Sequence, residues 1–128
     1  MKQEHKELLL KDLCARLPYD VKVSCNDKVY NFNGIQYFNI CTLTDDNENN
    51  AFTTAGIKYI KPYLFPLSSM TEEQDKEFAL LQTSAGKEGF LYAWNCATMM
   101  QWLLENHFDY NGLIEKGLAI DATNLNIY

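Results

Sequence analysis

Apolar positions near the start of the chain recur with a helical period. Leu9, Leu10, Leu13, Cys14 and Leu17 form a stripe, and Lys6, Glu7, Lys11, Asp12 and Arg16 fall away from its centre. The spacing predicts a helix over residues 4–17, with Glu7–Lys11 and Asp12–Arg16 as i,i+4 charge pairs and Pro18 as its stop. The period then shortens to two. Val21, Val23 and Cys25 alternate with Lys22 and Ser24, which predicts a half-buried strand before a turn at Asn26-Asp27. Residues 29–32 lead into Asn33-Gly34, a dipeptide suited to a type I′ hairpin turn because both central positions need positive φ. Residues 35–43 are apolar on both faces, as expected of a covered strand.

Residues 44–50 form an acidic polar loop. It lacks the central glycine and the ligand spacing of a calcium loop, so a hairpin connection is expected there. Residues 53–61 read as the last strand. Pro62 and Pro66 then frame Tyr63, Leu64 and Phe65 as an extended crossing from sheet to helix. A helix begins near Ser69 or Thr71, each with a capping-box partner three residues on (Glu72 or Gln74), and packs through Phe78 and Leu81. After a break over 84–89, a long apolar helix covers residues 90–106. Trp94 and Trp102 lie on one side of it, on a face suited either to the core or to a second copy of the chain. Asp109 is placed to cap a short helix that stops at Gly117, and the remaining tail is irregular or adds an edge strand.

These elements make one α+β domain over residues 1–128: an N-terminal helix, a mostly antiparallel sheet of about four strands over residues 20–61, then two or three C-terminal helices packed on the sheet. The composition, 47% apolar and 13% aromatic, is that of a folded chain. The net charge of −6 repels phosphate, and the eleven Lys and Arg residues form no run, so nucleic acid is disfavoured as a partner. No apolar run reaches the length of a membrane span, and the charged start gives no signal-peptide core, so the expected location is the cytoplasm.

The candidate chemistry is sparse. Cys14, Cys25, Cys41 and Cys96 match no zinc spacing and are expected to be buried, reduced thiols, so neither a metal nor another cofactor is expected. No Gly-x-Ser-x-Gly elbow occurs, and neither His5 nor His107 stands in a nucleophile pattern, so no catalytic residue is assigned. A Walker loop at Gly86-Lys87 fails, since Leu81 and Glu88 occupy its defining positions. Gly86–Gly89 between two helices leaves a second reading, a KH-like nucleic-acid module, against which the acidic helix before it and Glu88 both argue. The candidate binding residues are His107, Phe108, Asp109 and Tyr110, where an imidazole, a carboxylate and two aromatics fall together beside a helix end.

Three stretches, 8–23, 61–74 and 106–119, resemble a family of short proteins without assigned function, encoded by gut-bacterial genomes, prophages and mobile elements. The resemblance implies no activity and no site residue. The expectation is a non-enzymatic interaction protein whose partner is another protein or a second copy of itself.

Overall fold

The first helix, α1 (Gln3–Arg16), forms where the apolar spacing places it in the computed structural model. The structure describes residues 1–46, 51–83 and 89–128, with side chains described at all of these except 38, 82, 83 and 89–95. A 3-10 turn at Leu17–Tyr19 carries Pro18, and Asp20 in left-handed backbone (φ 54°) redirects the chain. The buried face of α1 differs from the expected stripe. It holds Leu9, Asp12, Leu13 and Arg16, with Cys14 and Leu17 outside.

Five strands follow as a meander: β1 (Lys22–Cys25), β2 (Lys28–Gln36), β3 (Ile40–Asp45), β4 (Ala51–Gly56) and β5 (Lys61–Pro66). The tight turn is Asn26-Asp27, whose φ angles of 51° and 61° are those a type I′ hairpin needs. The hairpin expected at Asn33-Gly34 is not there. β2 runs through it with a bulge between Phe32 and Gly34, and Gly34 sits at φ 151°. Side-chain alternation supplies the reason. Tyr30 and Phe32 face the core, and without an extra residue Ile35 would point outward. The bulge returns Ile35 to the inner side opposite Cys41. Reversal to β3 occurs instead at a 3-10 turn, Tyr37–Asn39, with Asn39 at φ 59°.

A 3-10 turn at Ile57–Tyr59 leads into β5, which pairs antiparallel with β1, so the meander curls back on its own first strand. On its other side β5 carries two short parallel partners, β6 (Phe108–Asp109) and β7 (Ile120–Asp121). The described sheet thus has seven strands in the order β4-β3-β2-β1-β5-β6, with β7 also on β5. More strands form than expected because the two prolines made residues 62–66 read as a crossing. Proline is tolerated here because the free N–H and C=O groups of β5 find other partners: Phe65 N–H donates to the His107 carbonyl (2.9 Å) and Ala122 N–H to the Leu64 carbonyl (2.8 Å).

The main core lies between α1 and the curled sheet, where Leu9 and Leu13 meet Val21, Val23, Leu43 and Leu64. A second cluster joins α2 (Glu72–Thr83) and α3 (Gly89–Glu105) to the sheet edge: Trp102 lies between Phe78 and Phe108, at ring separations of 5.3 and 5.6 Å. Of the two capping boxes, the one at Thr71 forms. Gln74 N–H donates to Thr71 Oγ1 (3.1 Å), and Thr71 N–H donates to Gln74 Oε1 (3.0 Å). The short helix expected after Asp109 is replaced by a series of turns over residues 113–117, closed by Leu118 N–H on the Leu113 carbonyl (2.9 Å) and by Gly117 at φ 73°. Among the described residues, no helix is long and apolar enough to cross a membrane.

Candidate functional site

Residues 106–111 leave α3, form β6 and turn beneath α1, so the four predicted binding residues share one short segment. Three of them are engaged in holding the fold. Asp109 is buried, and its two carboxylate oxygens accept the backbone N–H groups of Leu113 (2.9 Å) and Ile114 (3.0 Å). The acid does the capping its sequence position suggests, but over turns rather than a helix. Phe108 is core, and its carbonyl accepts a hydrogen bond from Arg16 Nη2 (2.7 Å). The Tyr110 ring lies 5.2 Å from the same guanidinium; burial, then the Asp12 charge, raises its phenol pKa.

Arg16 and Asp12 are the residues sequence reasoning misplaced. Both are fully buried, with Arg16 Nε 2.5 Å from Asp12 Oδ1, and Asn111 Nδ2 donates to Asp12 Oδ2 (2.8 Å). A helix-local i,i+4 pair is ordinarily a surface feature. Here the Phe108 carbonyl and Asn111, remote in sequence, add partners to it inside the protein, while Arg16 Nη1 is buried with none among the described residues. The only local signal was that such a pair borders an apolar stripe.

His107 differs from its neighbours. It ends α3 at φ 60°, a left-handed position usually given to Gly or Asn, and its ring stacks on Tyr128 with centroids 3.7 Å apart. Burial of the ring, with Arg16 and Lys22 adding to it and Asp20 opposing, lowers its pKa from 6.5 to about 4. The imidazole is therefore neutral at pH 7. Stability tied to this group is fully present above pH 6.5, falls as the pH drops below that value, and levels off below 4, because only the unfolded chain takes the proton in that window. Acidification from pH 7 to 5 is expected to cost about 1–2 kcal/mol through this partly screened ring. Comparing urea midpoints of the wild type and His107→Gln across that range checks it; equal slopes would contradict the assignment.

Tyr128 also closes the sheet. After the pairs Ser24–Lys61 and Val23–Pro62, the next rung between β1 and β5 would join Lys22 to Tyr63. The Tyr128 hydroxyl occupies that place, accepting from Lys22 N–H (2.9 Å) and donating to the Tyr63 carbonyl (2.7 Å). Burial raises its phenol pKa further than the favourable hydrogen bond from Lys22 lowers it. Tyr128→Phe keeps the ring stack but removes both bonds, and is expected to lower the unfolding free energy by about 1–3 kcal/mol in a urea titration.

Two of the four thiols are held in the protonated form. Burial pushes Cys41 up to about 11 and raises Cys25, so both stay protonated. Cys14 and Cys96 are exposed, contrary to the expectation that all four are buried. Trp102, the residue proposed for a dimer face, is only 8% exposed and packs within its own chain, while the Trp94 side chain lies outside the described residues. Residues 86–88 of the Gly86–Gly89 loop also lie outside them; Gly89 opens α3.

The least guarded surface is at the other end of the sheet. Among the described residues β4 pairs with β3 alone, in unbroken register from Asp45–Ala51 to Ile40–Gly56. Its residues Ala51, Phe52, Thr53 and Thr54 are exposed, Phe52 to 75%. The turns beside it expose Tyr37 (88%) and Tyr59 (59%). Sequence reading missed this edge because it merged residues 53–61 into one strand. Comparison with protein-family models, curated proteins and solved structures finds no match.

Proposed function

We propose that the chain is a non-enzymatic protein-interaction domain that takes an extended segment of a partner protein along the edge of β4. One observation carries the reading: Ala51–Gly56 forms a sheet edge with no charge, proline or bulge, and four of its six residues are exposed. Sheet edges are ordinarily guarded by lysine, proline, bulges or covering elements, because unpaired N–H and C=O groups template another strand. Strand addition gives affinity through the backbone and specificity through alternate side chains. Phe52 and Thr54 share the outer face of the edge, and Tyr37 and Tyr59 lie near its far end, as aromatic anchors of the kind interfaces favour. The engagement of Asp109, Phe108 and Tyr110 in the fold gives no support to a reaction at that segment. The acidic charge suits a protein partner better than a nucleic acid. An accessory role in the cytoplasm agrees with the resemblance to mobile-element proteins of gut bacteria.

Peptides selected from a random display library on the wild-type protein test the reading. Their affinity is expected to fall about tenfold or more when Phe52→Lys and Thr54→Lys are combined, because each introduces an edge guard at an exposed site. The unfolding midpoint should not change. Selected peptides that bind both proteins equally would contradict it.

A further inference from the structure

A cleft of about 380 Å³ lies where the end of β5, the start of α2, the end of α3 and the tail meet, at the opposite side of β5 from the curled meander. That volume is within the range of small-molecule sites. Its apolar walls are Phe65 and the stacked pair His107–Tyr128, with the buried Phe108 behind them, and Thr123 and Asn124 border them with side chains that make no hydrogen bond among the described residues. The remaining polar neighbours are engaged: Thr71 and Gln74 cap α2, and Asn106 Nδ2 donates to the Trp102 carbonyl (2.9 Å).

The walls are set in place before any ligand arrives. Phe65 N–H holds the His107 carbonyl, Tyr128 is anchored through its hydroxyl to β1 and β5, and Leu125 N–H donates to the Ala122 carbonyl (3.1 Å). The left-handed backbone of His107 is strain of the sort that collects at binding positions. Its Nδ1 is buried without a hydrogen-bond partner among the described residues. A buried lone pair without a donor is more tolerable than a buried N–H without an acceptor, so the proton belongs on Nε2, on the other edge of the ring. His107, the Thr123 hydroxyl and the Asn124 amide thus line the cleft around its aromatic faces, with Nε2–H as the donor that His107 can present. No Lys or Arg lines it, Glu105 does, and the acids Glu72, Glu73 and Asp75 stand in the first turn of the adjoining α2. An anion would be repelled.

The geometry points to a binding site for an uncharged, polyhydroxylated ring of monosaccharide size, its C–H face on the aromatic walls and its hydroxyls on His107 Nε2, Thr123 and Asn124. The site is separate from the β4 edge.

Titrating the isotope-labelled protein with glucose, galactose and N-acetylglucosamine, each followed by amide chemical shifts, tests it, with inorganic phosphate as the anionic control. Saturable shifts at Phe65, His107, Thr123 and Asn124 are expected with at least one sugar and none with phosphate. Combining Thr123→Val with Asn124→Gly, which suits the left-handed backbone of residue 124 (φ 69°), should raise the Kd about tenfold through two lost hydrogen bonds. The Phe52→Lys/Thr54→Lys protein should bind the sugar as the wild type does, so failure here is distinct from failure at the edge. No saturable shift at these amides with any of the three sugars, phosphate binding in the cleft, or an unchanged Kd in the Thr123/Asn124 variant would overturn it.

Discussion

Arg16→Met is expected to lower the unfolding free energy by about 3–5 kcal/mol, the largest effect of any single surface-coded residue in the chain. The substitution preserves much of the side-chain volume but leaves Asp12 fully buried with only Asn111 as a donor. It also orphans the Phe108 carbonyl and removes the cation beside Tyr110. Most of the cost is the uncompensated carboxylate rather than the net worth of the ion pair, because forming a buried pair also desolvates two charges. The double variant Asp12→Leu/Arg16→Met should therefore be more stable than Arg16→Met alone. Urea unfolding of the two proteins checks both statements; a double variant less stable than the single one would show that the pair itself, not the stranded charge, is what matters.

Asp109→Ala is expected to cost about 2–4 kcal/mol, since it strands the Leu113 and Ile114 N–H groups, of which the first is buried. Asp109→Asn keeps one acceptor oxygen and should lose roughly half as much. Neither change should alter peptide binding at β4. That combination, a large stability loss without a binding loss, separates a fold-holding carboxylate from a binding one, and a binding defect in a stably folded Asp109→Asn would return it to the site.

Local pattern in the chain predicts what local physics determines. The period of Leu9 and Leu13, a capping box at either Ser69 or Thr71, a turn at Asn26-Asp27 and the extent of α3 all follow from neighbours within a few residues. What escapes is decided at long range. Asn33-Gly34 has the chemistry of a turn, yet a bulge that turns Ile35 inward places the same conformational freedom inside a strand. The span between Pro62 and Pro66 becomes a strand because partners some forty to sixty residues later supply its outer edge: Phe108-Asp109 and Ile120-Asp121. Asp12 and Arg16 read as surface charges because nothing near them in sequence announces Asn111 or the Phe108 carbonyl. The candidate site was legible as a segment but not as a function. Of His107, Phe108, Asp109 and Tyr110, the first two border the cleft at the tail and the last two are held in the fold, whereas the β4 edge is visible only once strand order is known.

Two features of the molecule stand apart: a buried ionic centre at Asp12–Arg16 that ties down residues 106–111, and the strand β4, which among the described residues pairs with β3 alone. The interaction reading depends on the second. Amide hydrogen exchange on the protein with and without a selected peptide tests it most directly. The account predicts that outward-pointing amides within Ala51–Gly56 exchange quickly in the free protein and become strongly protected in the complex, with little change at His107 or along α2. Protection that leaves β4 untouched and appears elsewhere would contradict it.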